Sequence, residues 1–209
     1  MHCPTIVSLV GSRIDSDPPL TSHQDNDEPA FKKVFREVVL RVLDGFYLQK
    51  VKYSLEPWHN TFFYQPEEIL TFMAEVDHPS LGFHLDQMNM VNQQKYFQTT
   101  CLINHTFDLL SCYICSVHLK DVRCDPGYMF LKYDEVLIGD GILDYHSLLK
   151  RLSQLPEDLP CFCEHLADQQ DYLTNFSRLQ HLAQQGGFQF KRRTSHQQEI
   201  RLLLRYLKT

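Results

Sequence analysis

Four short apolar runs of the sequence each end in a residue that can bind a cation or move a proton. These residues are Glu56 at the end of VKYSLE, Asp86 at the end of LGFHLD, His118 at the end of YICSVH and Glu164 at the end of LPCFCE. Three carboxylates and one imidazole form an oxygen-rich set that suits Mn²⁺, Mg²⁺ or Co²⁺ in preference to Zn²⁺. A cation held there with open positions would bind substrate oxygens and polarise a carbonyl group. The pattern therefore predicts a divalent-metal site.

A regular alternation of strands and helices has to position these four residues. A fifth apolar run, TIVSLV at 5–10, precedes them, and helical patterns separate the runs. We predict helices at about 31–43, 66–76 and 92–110, from Asp144 onward, and at about 168–184. The apolar face of the first helix is expected to comprise Phe31, Val34, Phe35, Val38, Val39 and Val42. Strands that alternate with helices indicate βαβ units and a parallel sheet, so the predicted class is α/β.

The spacing of the runs favours a barrel of repeated units. Their last residues are separated by 30, 32 and 46 positions. A (β/α) barrel of about 250 residues has about 31 residues in each of its eight units, and catalytic residues lie at the carboxyl ends of its strands. The third interval is longer because of the segment VRCDPGYMFLKYDEVLIGDGIL at 122–143. We predict that this segment is a long functional loop that covers a ligand.

Each of the four residues also has an ordinary structural explanation. Glu56 would begin a turn with Pro57, Asp86 would cap the next helix, His118 would be a satisfied rim histidine, and Glu164 would point outward. Four such residues at successive strand ends favour a site over four separate structural roles.

Composition argues against several classes of partner. The formal charge is −6 and no cluster of Lys and Arg forms the basic stripe that nucleic acid requires. No apolar run has the roughly 18 residues of a membrane span. The opening segment lacks the basic region of a signal peptide, so we predict a cytoplasmic protein.

The seven cysteines are predicted to be reduced, buried thiols, because most of them lie inside apolar runs. Cys112 and Cys115 have the CxxC spacing, but they lead into a strand where a redox motif would open a helix. Packing is therefore favoured over redox or zinc chemistry.

The order and spacing of several short motifs resemble those of the sugar phosphate isomerase/epimerase family, within the xylose isomerase-like TIM-barrel superfamily. The resemblance extends from about residue 4 to 190 and rests on SLEPW, LGFHLDQMNMVN, SVHLKDV, GDGILDYHSLLKRL and CFCEHL. It implies that strands five to eight of the barrel carry the metal ligands, which here are Glu56, Asp86, His118 and Glu164. It also implies that Glu56 and Glu164 transfer a proton beside a carbonyl through a metal-held enediolate. The implied substrate is a small sugar, sugar phosphate or polyol derivative.

Other polar residues near the strand ends are candidates for substrate binding. The set comprises Trp58, His84, Asn89, Lys120, Asp121 and Arg123. Lys120 and Arg123 would contact substrate oxyanions or a phosphate, or they would be solvated rim residues. Trp58 and His84 would line the sugar pocket or pack structurally. Asn89 stands where some members of the family have a histidine, and it would orient substrate or a water.

Only five strands are predicted, whereas a complete barrel has eight. Residues 1–190 are therefore interpreted as the C-terminal part of the barrel, strands four to eight, and 191–209 as a basic amphipathic helix or tail. The exposed sheet edge leaves a second function open, that of a non-catalytic truncated barrel or association module. The partner at this edge would be either a second copy of the chain or a missing half of the barrel. Hydrolysis of DNA by the chemistry of the related endonucleases is disfavoured, whereas dehydration of an inositol-type substrate stays open.

Overall fold

The computed structural model describes residues 3–14, 20–45, 51–130 and 132–190. Its strands and helices, in chain order, are β1 Thr5–Leu9, α1 Pro29–Gly45, β2 Lys52–Glu56, α2 Pro66–Val76, β3 Leu81–Asp86, α3 Thr99–Leu110, β4 Ile114–His118, β5 Asp121–Cys124, β6 Tyr133–Val136, α4 Tyr145–Leu152, β7 Cys161–Phe162 and α5 Gln169–Gly186. Short 3₁₀ turns lie at Gln24–Asp27 and Met88–Met90. Within the described ranges, no helix is both long and apolar enough to cross a bilayer. The predicted tail at 191–209 lies outside these ranges, and the boundary at 190 stays a prediction.

Five parallel strands form the main sheet, in the order β1-β2-β3-β4-β7. Helices alternate with these strands, which confirms the predicted α/β class and the partial (β/α) barrel with five parallel strands. Because the strands are parallel, their carboxyl ends lie at one edge of the sheet, and Asp86 is paired directly with His118 there. The register therefore brings the predicted ligands to the same side of the molecule.

The most buried strand is β3, in which all six residues are buried. Such a strand needs cover on both faces. Helices α2 and α3, which precede and follow β3 in the chain, pack against each other. Gly82 allows β4 to approach closely, because a Cβ at this position would lie 2.6 Å from Sγ of Cys115. A rigid central strand thus holds Asp86 in place at its end.

The first strand forms one edge of the described sheet and pairs with β2 alone. Its apolar residues are correspondingly open to solvent: Ile6 is 49% exposed and Leu9 37% exposed. On α1, Phe31, Phe35 and Val39 are buried as predicted, but Val34 and Val38 are 48% and 46% exposed. The prediction that these two valines are buried was wrong, because the inward face of α1 follows the i, i+4 row that continues to Leu43.

Three further expectations were wrong. The third helix begins at Thr99 and not near 92, because the Asn92 side chain accepts hydrogen bonds from the backbone N–H groups of Gln94 and Lys95 and forms a turn. The segment at 122–143 is no simple loop, since β5 and β6 pair in an antiparallel hairpin. All seven cysteines are free, as expected, but none is fully buried: Cys3, Cys101 and Cys112 are exposed, and the other four are half-buried.

Candidate metal centre

The four predicted ligands converge at the carboxyl ends of four neighbouring strands. Glu56, Asp86 and His118 are the last residues of β2, β3 and β4, and Glu164 follows two residues after β7. One ligand atom from each of the four lies within 4.8 Å of the others. Two oxygens on opposite sides of a cation with bonds of roughly 2.1 Å are about 4.2 Å apart, so the cluster has about the size of a coordination sphere. The donor types fit a hard divalent cation.

The imidazole of His118 lies at the centre of the cluster. Its Nδ1 is 2.9 Å from Oε1 of Glu164 and 3.3 Å from both Oε1 of Glu56 and Oδ2 of Asp86. Burial disfavours a charged imidazole, but the hydrogen bonds to Asp86, Glu164 and Glu56 outweigh it and raise the pKa of His118 to about 11. A bound cation would take the place of this proton, since a histidine ligand binds a metal through an unprotonated nitrogen.

The carboxyl groups of the cluster differ in their affinity for protons. Burial would raise the pKa of Asp86, but the hydrogen bond from His118 and the charge of Lys120 hold it below its usual value. Glu164 has its pKa lowered to about 2, because hydrogen bonds from His118 and Lys120 outweigh the effect of burial. The pKa of Glu56 is raised, mainly by burial. Glu56 is therefore the carboxyl group of the cluster that most readily accepts a proton.

Lys120 reaches into the same cluster. Its Nζ lies 2.8 Å from Oδ2 of Asp86 and contacts Oε1 of Glu164. The side chain is only 2% exposed, and the two carboxylates raise the pKa of its ammonium group although burial opposes this. The lysine is therefore not a solvated rim residue, and its contact with substrate stays a prediction.

Asn89 and His84 are buried beside the ligands. The Asn89 side chain donates a hydrogen bond to Glu56, with Nδ2 2.9 Å from Oε1. Nδ1 of His84 is 2.6 Å from Oγ of Ser116, whereas its buried Nε2 has no hydrogen-bond partner among the described residues. Burial, together with the charge of His118, lowers the pKa of His84 to about 3, so this ring is neutral.

His84 also belongs to a second group of potential ligands. One atom each from Glu56, His84 and His118 lies within 4.8 Å of the others. The rings of His84 and His118 meet edge to face, with centroids 4.0 Å apart. His84 is thus close enough to contact whatever the cluster binds.

The other three predicted substrate contacts lie farther out or are engaged elsewhere. Nε1 of Trp58 donates to the backbone oxygen of Leu20 over 2.6 Å. Both carboxylate oxygens of Asp121 accept backbone hydrogen bonds, from the N–H groups of Val122, Leu143, Gly139 and Gly141. Arg123 is exposed on β5 and lines a separate cavity of about 330 Å³. Their roles in substrate binding stay predictions.

His165 is a neighbour of the cluster that was not among the predicted site residues. Its Nε2 is 3.7 Å from Oε1 of Glu164, and its Nδ1 is 3.1 Å from Oε2 of Glu135 on β6. With φ at 58°, His165 adopts the left-handed conformation that is uncommon for residues other than glycine. Its position directly after Glu164 in CFCEHL was the available signal. The contact links the hairpin to the proposed ligand.

Comparison with known proteins places this chain in a family. The sequence profile described as xylose isomerase-like TIM barrel matches residues 1–203, and the chain belongs to that family. A curated relative, 3-oxo-isoapionate decarboxylase of Pectobacterium atrosepticum, is 24% identical over 126 residues. That match covers 59% of this chain and 42% of the relative, so the matched region is less than half of the curated protein.

Solved structures share the fold at low sequence identity. A D-tagatose 3-epimerase-like protein has a TM-score of 0.64 and 14% identity, with 88% of this chain and 63% of that chain covered. A xylose isomerase-like TIM barrel protein from Mycobacterium smegmatis, solved in complex with magnesium, has a TM-score of 0.59 and 19% identity, with 80% and 55% covered. The IOLI protein, solved with a binding zinc atom, has a TM-score of 0.53 and 18% identity, with 88% and 61% covered. This chain therefore spans about 60% of the length of such barrels.

Proposed function

We propose that this chain provides the metal site of a divalent-metal-dependent isomerase or epimerase that acts on a small sugar, sugar phosphate or polyol derivative. The observation that carries the proposal is the convergence of Glu56, Asp86, His118 and Glu164 at the strand ends, where one ligand atom from each lies within 4.8 Å of the others. The family and its epimerase-like structural relatives support the choice of reaction. Mn²⁺, Mg²⁺ or Co²⁺ suits the three carboxylates, and Zn²⁺ is the ion to compare with them because one structural relative contains it.

Glu56 and Glu164 are the proposed acid and base. Isomerisation beside a carbonyl removes a proton from one carbon and returns a proton to the same or the next carbon, and two carboxyl groups can serve as the base and the acid of these two transfers. In the metal-free cluster, burial raises the pKa of Glu56, whereas hydrogen bonds from His118 and Lys120 lower that of Glu164 to about 2. When bound, the cation would polarise the carbonyl oxygen of the substrate.

Three more residues are proposed to bind and orient the substrate. The free Nε2 of His84 is a buried hydrogen-bonding atom without a described partner, and a substrate hydroxyl would satisfy it. Asn89 fixes the orientation of the Glu56 carboxyl through its 2.9 Å hydrogen bond. Lys120 supplies positive charge next to Asp86 and Glu164. Together these groups favour a polyhydroxylated substrate over an apolar one.

A calorimetric titration with Mn²⁺ tests the metal site directly. We expect one strong site in the wild-type chain and a loss of affinity of at least about 100-fold in Glu164→Gln, because a neutral amide is a poor ligand for a hard cation. Glu37→Gln on the exposed side of α1 is the matched control and should bind as the wild type does. Absence of binding, or equal binding by wild type and Glu164→Gln, would remove the proposed mechanism.

The reaction itself is tested by solvent deuterium exchange. With Mn²⁺ present, a ketose or keto-polyol substrate should gain deuterium at the carbon beside its carbonyl, and Glu56→Gln and Glu164→Gln should each abolish the exchange. A panel of 3-oxo acids belongs in the same experiment, because the curated relative is named as a decarboxylase. Release of carbon dioxide, with deuterium only at the product carbon that lost its carboxylate and none in the remaining substrate, would favour decarboxylation over isomerisation.

The exposed edge of the sheet supports a second candidate function, that of a non-catalytic association module. Ile6, Val7 and Leu9 on β1 are each more than a third exposed, and an unpaired strand edge can pair with another chain. Light scattering during size exclusion distinguishes the two functions when combined with the isotope exchange. An oligomer that binds no cation and catalyses no exchange would support the association module and contradict the enzyme.

A further inference from the structure

We propose that Lys120 is the resident counter-ion of the metal-free cluster, and that its ammonium group competes with the divalent cation for Asp86 and Glu164. The inference rests on the proposed metal site and adds a determinant of its affinity. It assigns to Lys120 a positioning role for the ligands, apart from any contact with substrate.

Lys120 contacts the oxygen atoms that the proposed cation would use as ligands. The ammonium group binds the same two oxygens that face the imidazole of His118. Oδ2 of Asp86 is 2.8 Å from Nζ of Lys120 and 3.3 Å from Nδ1 of His118. Oε1 of Glu164 is likewise shared by Lys120 and His118. A cation that used these oxygens as ligands would compete with the ammonium group for their lone pairs and would be repelled by its charge at this short distance.

Lys120 also compensates the negative charge of the buried Asp86 carboxylate. Asp86 has a side chain that is 0% exposed, and buried carboxylates require nearby positive charge and hydrogen bonds. Its Oδ1 accepts the backbone N–H of Asn89 over 3.1 Å, so Lys120 and His118 are the basic groups in contact with its other oxygen. Lys120 itself is 2% exposed and makes no ion pair outside the cluster among the described residues. The lysine and the divalent cation are thus two alternative ways to compensate the same carboxylates.

If Lys120 competes with the cation, removal of its charge should change two measured quantities in opposite directions, namely the affinity for Mn²⁺ and the melting temperature of the metal-free protein. Removal of the charge in Lys120→Met should tighten Mn²⁺ binding, because the cation no longer competes with a bound ammonium group. The same substitution should lower the melting temperature of the metal-free protein, because buried carboxylates lose their counter-ion. A lysine that served packing alone, or substrate alone, would not tighten metal binding when it is replaced.

The experiment compares wild type, Lys120→Met and Lys120→Arg by titration calorimetry with Mn²⁺ and by thermal melting in EDTA and in saturating Mn²⁺. We expect Lys120→Met to bind Mn²⁺ at least about tenfold more tightly and to gain more melting temperature from Mn²⁺ than wild type does. Lys120→Arg keeps the charge and should bind Mn²⁺ as wild type does, or more weakly. The control is Lys132→Met, which removes a lysine that pairs with Asp125 and Asp134 in the hairpin. It should change neither the affinity for Mn²⁺ nor the rise in melting temperature that Mn²⁺ causes.

If Lys120→Met binds Mn²⁺ as tightly as the wild type or more weakly, the inference is overturned. The proposed function still stands in that case if the wild type binds Mn²⁺ and Glu164→Gln does not. If Lys120→Met does not fold even with Mn²⁺, Lys120→Arg decides: tighter binding than wild type overturns the inference, and equal or weaker binding supports it. Mn²⁺ binding by Lys120→Met but not by wild type supports the inference while it contradicts the proposed metal-dependent function. Absence of binding by wild type and by Lys120→Met contradicts both.

Discussion

The side-chain amide of Asn89 donates a 2.9 Å hydrogen bond to Oε1 of Glu56, and this contact joins the turn after β3 to the end of β2. The backbone N–H of Asn89 also binds Oδ1 of Asp86 over 3.1 Å. One residue therefore orients two of the four proposed ligands. Because such supporting contacts fix the direction of ligand oxygens, they contribute to metal affinity although they do not touch the ion.

Replacement of Asn89 by alanine tests this supporting role. We expect the Mn²⁺ affinity of Asn89→Ala to fall about 10–100-fold, since the Glu56 carboxyl loses its fixed orientation while all four ligands remain. Calorimetric titration gives the affinity, and Asn104→Ala on α3 serves as the control. An affinity within about threefold of wild type would show that Glu56 is oriented without the amide.

Gly82 is predicted to be essential for the close packing of β3 on β4. A Cβ there would lie 2.6 Å from Sγ of Cys115, and Gly82→Ala should lower the free energy of unfolding by about 1–3 kcal/mol, as overpacking does in other cores. Urea unfolding measures the loss. In Gly82→Ala with Cys115→Ala the clashing sulfur is gone, so the second substitution should restore at least half of the stability. Strictly additive effects of the two substitutions would contradict this packing.

Much of the site was predictable because strand ends carry a local signal. Glu56, Asp86 and His118 each close an apolar run, and parallel strands necessarily bring their carboxyl ends together. Glu164 was placed at a strand end, although β7 stops two residues earlier at Phe162. The convergence thus followed from patterns within single segments and from one rule of sheet topology.

The parts that were not predictable depend on contacts between distant segments. The sequence left Lys120 as either a substrate contact or a solvated rim residue, because a lysine at a strand end is usually solvated. Its burial depends on the positions of Asp86 and Glu164, which lie far from it in the sequence. The hairpin was missed because each of its strands has only four residues, too few to show a period. Val34 and Val38 fit the helical stripe, but sequence does not reveal which face of a helix lacks a neighbour.

Asp121 is predicted to stabilise the hairpin and the turn that follows it. Its carboxylate accepts hydrogen bonds of 2.9 to 3.1 Å from four backbone N–H groups, which belong to Val122, Gly139, Gly141 and Leu143. Asp121→Asn places an amide NH₂ against two of these donors and should lower the free energy of unfolding by about 2–3 kcal/mol. Hydrogen exchange of the hairpin amides and urea unfolding measure the effect, with Asp134→Asn on β6, whose side chain is 39% exposed, as the control. Unchanged stability would leave substrate contact as the better explanation of Asp121.

His84 is predicted to make the metal-free protein less stable in mild acid. Burial, followed by the charge of His118, lowers the pKa of His84 to about 3, whereas an unfolded histidine has a pKa near 6.5. The unfolded chain therefore binds a proton that the folded chain excludes. Stability that is complete above pH 6.5 is lost progressively as the pH falls toward 3.

Between pH 7 and pH 5 the free energy of unfolding of the wild type should fall by about 2 kcal/mol more than that of His84→Gln, because glutamine cannot take up the proton. The free energy of unfolding in urea, measured in EDTA at pH 7, 6 and 5, gives the difference between the two proteins at each pH. His181→Gln on an exposed turn of α5 is the matched control and should keep the pH dependence of wild type. Parallel curves for wild type and His84→Gln would mean that the folded protein accommodates a charged His84, because only a proton bound equally in both states leaves the slope unchanged.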